Sequence, residues 1–125
     1  MKRQIFKSKI HRATITEANL DYEGSITIDS LLMKEADIFQ YELVHVWNIS
    51  NGNRLVTYAL EGRVGSGEIC INGAGAKLCS VGDMVIIATF AEMGWWKARS
   101  WKPIVVTVDK NNHSKKTGSH NLGPG

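Results

Sequence analysis

The sequence predicts a mainly β domain, a small barrel with short helices. Its apolar residues come mostly in short β-branched runs, and glycine or Asn-Gly turn signals separate those runs. Helical patterning is confined to two brief stretches, so the alternation of strands and long helices that marks a βαβ fold is missing. At 125 residues, with 43% hydrophobic and 22% charged residues, the chain is one ordinary globular domain able to bury a core.

Taken in order, Ala13-Thr14-Ile15-Thr16 and Ser25-Ile26-Thr27-Ile28 read as the first strands. Asp29 is placed to cap a helix over Ser30 to Ala36, in which Leu32 and Ala36 share a face. Leu43 to Ile49 and Leu55 to Leu60 read as a hairpin around Ser50-Asn51-Gly52-Asn53, because Asn and Gly tolerate positive φ. Glu68 to Asn72 is a strand, followed by the small-residue run Asn72-Gly73-Ala74-Gly75-Ala76, expected as a tight turn. Val81-Gly82-Asp83 turns the chain into a strand over Met84 to Phe90. A second helix is expected from Ala91 to Trp101, stopped before Pro103, and Ile104 to Val108 is the last strand. The domain is expected to occupy 1–109. From Lys110 to Gly125 the chain is polar and glycine-rich and is expected to be disordered.

The net charge of +3 is mild, and Lys110, Lys115 and Lys116 of the tail supply part of it. Nucleic-acid partners are therefore not expected. No segment has the apolar length of a membrane span, and Met1 to Lys7 lacks the apolar stretch of a signal peptide; no membrane partner and a cytoplasmic location are expected. Cys70 and Cys79 do not form a CxxC pair and are expected as small buried hydrophobes. His11, His45, His113 and His120 show no ligand spacing, so no metal site is expected.

Gly24-Ser25, within Tyr22-Glu23-Gly24-Ser25-Ile26-Thr27-Ile28-Asp29, is open to two readings. One is a turn entering a strand. The other is a strained peptide bond whose serine hydroxyl attacks the preceding carbonyl, converts amide to ester and, after β-elimination and hydrolysis, leaves a pyruvoyl group. Lys9, His11 and Arg12 form either a solvated strand edge or a basic cluster. Arg54 is either a surface arginine or a guanidinium gripping a carboxylate with two parallel hydrogen bonds. Thr57 and Tyr58 must face opposite sides of their strand, so both reach one site only with a bulge or a neighbouring subunit. The residues alone lead to a cytosolic, mostly β, mildly basic domain.

Several motifs in order, namely Ser8 to Thr14, Tyr22 to Asp29, Asn51 to Arg54 with Thr57-Tyr58, Asn72 to Ala76 and Val81 to Ile87, resemble the bacterial aspartate 1-decarboxylase family, from about Met1 through Val108. The resemblance implies a double-psi β-barrel, a homotetramer with sites between subunits, and decarboxylation of L-aspartate to β-alanine for pantothenate and coenzyme A. It implies self-cleavage between Gly24 and Ser25, with Ser25 becoming a covalent pyruvoyl cofactor. Such a ketone condenses with the substrate amine and accepts the electrons left as carbon dioxide departs.

By matching positions, Tyr58 resembles the family's proton donor, a phenol that keeps its proton at neutral pH. Thr57 resembles the residue that assists self-cleavage, by hydrogen-bonding the Gly24 carbonyl, and is also counted with substrate binding. Lys9 and Arg54 resemble the cations that hold the substrate carboxylates. Gly73, Ala74 and Gly75 resemble the backbone lining, with Asn72 and Tyr22 close by. Two positions depart from the family pattern: Gly75 replaces an alanine, and Gly94-Trp95-Trp96-Lys97 replaces a polar, acidic helix start, which suggests a subunit or partner contact or local packing. An accessory maturation factor is a further implied partner. The alternatives are a small basic β-barrel DNA-binding regulator and a relative that keeps the barrel without processing.

Overall fold

The computed structural model describes residues 1–115. Among them eight strands form one mixed sheet in the order β2-β6-β3-β5-β4-β7-β1-β8, so the mainly β expectation holds. β1 (Lys2–Thr14) runs antiparallel to β7 (Met84–Gly94) and parallel to β8 (Ile104–Thr107). β3 (Ser25–Asp29) lies between β6 (Ile69–Asn72), antiparallel, and β5 (Arg54–Gly62), parallel. β4 (Leu43–Asn48) joins β5 to β7, and the three-residue β2 (Glu17–Asn19) runs parallel to β6. One face of the sheet supplies Ile10, Ile26, Ile28, Val44, Val46, Ile69, Ile71, Val85 and Ile87 to a single buried core.

Four expectations change. Only residues 13–16 were expected as a strand near the start, yet β1 begins at Lys2. Five basic residues between Lys2 and Arg12 hide the apolar alternation, and pairing with β7 overrides their weak strand propensity. Nor is this stretch a solvated edge: Lys9 is buried between β7 and β8, and Arg12 takes positive φ (66°) at the second of two register shifts. The second helix, expected from Ala91, is only α2 (Trp95–Ser100), because Ala91 to Gly94 pair with Ile5 to Lys2. None of its six residues is buried. Trp95 and Trp96 pack edge to face at 4.5 Å, and the Arg99 guanidinium lies over Trp95.

The first helix, α1 (Ser30–Glu35), is capped as expected: the Asp29 carboxylate accepts from Leu31 N. The same carboxylate accepts from Gly65 N and Gly67 N, which ties the β5–β6 loop to the end of β3. In the β4–β5 turn the Asn48 Oδ1 accepts from Ser50 N and Asn51 N, and Gly52 takes φ +81°. Disorder was expected from Lys110, but the chain stays in place to Lys115. Buried Asn112 donates to the carbonyls of Thr14 and Gly67 and accepts from Thr14 N, and Ser114 bridges to Val108. The rest of that expectation falls on 116–125, outside the described residues.

Candidate functional site

Ser25 opens β3 and is almost fully buried, although a small polar residue at a strand start ordinarily meets water. Its position follows from pairing. Ser25 and Thr27 of β3 stand opposite Asn72 and Cys70 of β6, and because side chains alternate along a strand all four share the face turned away from the core. The Ser25 hydroxyl donates to the Glu23 carbonyl over a long 3.3 Å and accepts from Asn72 Nδ2 at 3.0 Å. The same amide donates to Thr27 Oγ1 at 3.2 Å, and its Oδ1 accepts from the Cys70 thiol at 3.2 Å. Burial, with help from Glu17 and Glu68, pushes the Cys70 thiol up to about 11, so it stays a protonated donor at neutral pH.

The segment before Ser25 rests on Gly73. That residue takes φ +74°, and a Cβ there would lie 2.6 Å from Gly24 N, 2.7 Å from Gly24 Cα and 2.8 Å from the Tyr22 carbonyl oxygen. Glycine is thus required twice, once for the left-handed backbone and once for the close approach of two main chains. Gly24 itself has nothing within 4 Å of its missing Cβ, leaving that side of the Gly24-Ser25 bond open. The expected tight turn after Asn72 is one 3₁₀ turn over Gly73–Lys77, with Gly73 buried and Ala74 exposed. Gly75 has no such constraint: its Cβ would meet only side chains, Ile71 at 3.2 Å and Leu55 at 3.4 Å.

On the other side, β5 runs parallel to β3 with Ile26 opposite Ala59, so Ser25 and Tyr58 occupy the same register step. Tyr58 pairs with exposed Leu43 and stands on the outer face, its ring 6.3 Å from Tyr41. Thr57 pairs with fully buried Val44 and stands on the core face. The β4–β5 register is unbroken, so no bulge turns Thr57 and Tyr58 the same way. Arg54, exposed, lies over the Trp47 ring at 5.0 Å. It shares the face of Tyr58 but sits four residues, roughly 13 Å, back along β5.

Lys9 belongs to the cross-strand row Val56–His45–Ala88–Lys9, again on the outer face and about 14 Å, three strand spacings, from β5. It is buried, and burial lowers its pKa. Burial followed by the charges of Lys9 and Arg12 lowers that of His11, whose buried Nδ1 has no hydrogen-bond partner. Tyr22 is exposed in the loop before Gly24.

Of the residues singled out from sequence, one chain therefore brings Gly24, Ser25, Asn72 and Gly73 together, with Tyr58 at the same register step. It spreads Lys9 and Arg54 over the same face and turns Thr57 to the other. Thr27 and Cys70 were missed. Cys70 was expected only as a buried small hydrophobe; it is buried, but its thiol faces the Asn72 amide. The signal available was the spacing Cys70-x-Asn72 opposite Ser25-x-Thr27, which needs the strand pairing to become visible. Among the described residues no three His, Cys, Asp or Glu side chains gather as a metal site, and no helix is long and apolar enough to cross a membrane.

A family model described as aspartate decarboxylase matches residues 1–115. Similar relatives are aspartate 1-decarboxylases of Myxococcus xanthus (62% identical over 112 residues, 90% of this chain and 86% of that one) and Syntrophotalea carbinolica (56% over 125 residues, 100% and 95%). A third, from Thermoanaerobacter pseudethanolicus, is 58% identical over 112 residues, covering 90% and 96%. Among solved structures, the rationally designed mkDPBB_sym_86 protein shares 16% identity at a TM-score of 0.47, over 62% of this chain and 90% of that chain.

Proposed function

The chain belongs to the aspartate decarboxylase family, and on that premise we propose that it converts L-aspartate to β-alanine and carbon dioxide, for pantothenate and coenzyme A synthesis. In this reading it is a double-psi barrel that first cleaves its own Gly24–Ser25 bond and turns Ser25 into a covalent pyruvoyl group. The observation that carries the reading is the buried Ser25 hydroxyl, held by Asn72 beside a Gly24 segment that packs backbone to backbone on Gly73. A turn serine has no need of such burial or of such a cradle, whereas a nucleophile that must meet one particular carbonyl needs both.

The residues fit the group. Ser25 Oγ forms a bond to the Gly24 carbonyl carbon, the Gly24 C–Ser25 N bond breaks, and the hydroxyl proton passes to the freed amine. β-Elimination then removes the Cα proton of residue 25, breaks its Cβ–Oγ bond and leaves Gly24 as a carboxylate. Water hydrolyses the remaining enamine, through its imine tautomer, with loss of ammonia. Thr57 donates to the Gly24 carbonyl oxygen as charge develops there. Once formed, the pyruvoyl ketone supplies the electron sink that no ordinary side chain offers.

In the mature enzyme Tyr58, at the register step of residue 25, delivers the proton to the substrate carbon. Lys9 and Arg54 hold the two carboxylates, and Asn72, Gly73, Ala74 and Gly75 line the substrate. The spread of Lys9 and Arg54, and the opposed faces of Thr57 and Tyr58, support a site completed by a neighbouring subunit of a homotetramer.

The deciding test is the intact mass of freshly purified full-length protein followed over time, with and without a clarified lysate as a source of any maturation factor. Two pieces, 1–24 and 25–125, are expected, the larger lighter by one ammonia than a serine-headed fragment. Borohydride should shift that mass and abolish turnover. Protein that stays at full length in both arms and still decarboxylates L-aspartate overturns the reading.

A further inference from the structure

We infer that Cys70 is a positioning residue for self-cleavage, fixing the orientation of the Asn72 amide and through it the direction of the Ser25 hydroxyl. The inference rests on the self-cleavage proposed above and extends it to a residue that touches neither the scissile bond nor the substrate.

The two ends of an Asn side chain have nearly the same shape, so its partners decide which end goes where. Here two of the three side-chain partners decide nothing. The hydroxyls of Ser25 and Thr27 can each donate or accept, so either end of the amide satisfies them. Cys70 differs. A protonated thiol donates weakly and accepts poorly, which favours the carbonyl end of Asn72 at the 3.2 Å contact. The other acceptor within its reach, the Ile71 carbonyl, is at 4.0 Å and competes poorly. With Oδ1 held by the thiol, Nδ2 must face Ser25 Oγ and Thr27 Oγ1.

The orientation matters for the chemistry. When Asn72 donates to Ser25, the serine proton is directed away from Asn72, toward the Glu23 carbonyl at 3.3 Å. That donor contact fixes the rotamer of the hydroxyl and leaves a lone pair free for the Gly24 carbonyl carbon. With the amide reversed, Oδ1 would accept the Ser25 proton and redirect the hydroxyl. The cleavage-competent arrangement would then be only one of two populated states.

The test compares cleavage rates of purified precursors by intact mass, with thermal unfolding of each variant alongside. Cys70→Val preserves size and strand propensity without a donor, and Cys70→Ala serves if the valine variant does not fold. Either is expected to slow cleavage about tenfold, the rate equivalent of one weak hydrogen bond. Cys70→Ser, which restores a donor, is expected to return the rate to within about threefold of the parent. In an Asn72→Ala background the Cys70→Val change should have no further effect, since the route through the amide is gone. A folded Cys70→Val protein cleaving at the parental rate, a serine variant as slow as valine, or an undiminished effect without Asn72 each overturns the inference. A parent that does not cleave defeats the proposed function itself, which is a separate outcome.

Discussion

Replacing Gly73 by alanine tests whether the backbone cradle beneath Gly24 sets the geometry of the scissile bond. The new methyl would sit 2.6–2.8 Å from three main-chain atoms of Tyr22 and Gly24, none of which can swing aside like a side chain. Ordinary van der Waals contact begins near 3.4 Å, so the 22–24 segment must retreat by about 0.7 Å. A left-handed alanine costs about 1–2 kcal/mol in addition, and the displaced packing a similar amount, giving a total loss of about 2–4 kcal/mol. Misplacing a nucleophile by this distance slows attack by about 10- to 100-fold.

Stability and rate can be read separately. Urea unfolding is measured with Gly73→Ala added to an uncleavable Ser25→Ala chain, and cleavage by the intact-mass time course in the native Ser25 background. Gly75→Ala is the matched control. Its φ is not in the left-handed region and its Cβ meets only side-chain methyls, Ile71 Cγ2 at 3.2 Å and Leu55 Cδ1 at 3.4 Å, which need give by only a few tenths of an ångström. It should therefore shift stability by less than about 1 kcal/mol and leave cleavage unchanged. A Gly73→Ala precursor that cleaves within about twofold of the parent refutes the cradle, because misplacement of the predicted size must show in the rate.

Other outcomes follow from neighbouring parts of the structure. Tyr58→Phe should still yield both fragments while turnover falls by about 10²–10⁴, as expected for a lost proton donor; unchanged turnover removes Tyr58 from that role. Asp29→Ala strands three backbone N–H groups, those of Leu31, Gly65 and Gly67, and should lower the free energy of unfolding by about 2–4 kcal/mol in a urea titration. Asp83 is held below the usual carboxylate value of 3.8 by the Asn48 amide and then by Ser80 N, and Asp109 by His113 N and Asn111 N. Because these folded values are depressed, the stability they confer is complete above about pH 4 and is lost as pH falls through the lower folded values. Asp83→Asn keeps an oxygen for both donors and should flatten the fall of the urea midpoint in that acid window; an unchanged slope would show that Asp83 is not its source.

The legible parts of the fold were those whose signals are local. The Asp29 cap, the Asn51-Gly52 turn and the strands from β3 onward all rest on residues within a few positions of one another. What escaped depended on distant pairing. β1 is a strand because β7 and β8 flank it, although five of its thirteen residues are Lys or Arg; Ala91 to Gly94 extend rather than coil because Lys2 to Ile5 pair with them. Asn112, in a stretch whose composition signals disorder, is buried because it bridges Thr14, 98 positions away, and Gly67, 45 positions away.

The candidate site divides in the same way, and the division bears on how the reaction is assembled. Gly24-Ser25 and the run from Asn72 to Gly75 could be found as motifs, but only the β3–β6 register reveals that they touch and that Cys70 and Thr27 belong with them. Thr57 and Tyr58 are adjacent in sequence yet separated by the sheet: one stands opposite buried Val44, the other opposite exposed Leu43. In an unbroken strand no rotamer change brings both to one face. If both act on residue 25, as proposed, Tyr58 acts from the outer face, and Thr57 reaches the Gly24 carbonyl from the core side or from a second copy. Mixing uncleaved Thr57→Val precursors with uncleavable Ser25→Ala chains that keep Thr57 therefore distinguishes the cases. Cleavage of the Thr57→Val chain in mixed oligomers, read by intact mass, shows that Thr57 acts from a second copy, and no cleavage, with subunit exchange shown by mass, shows that it acts within its own chain.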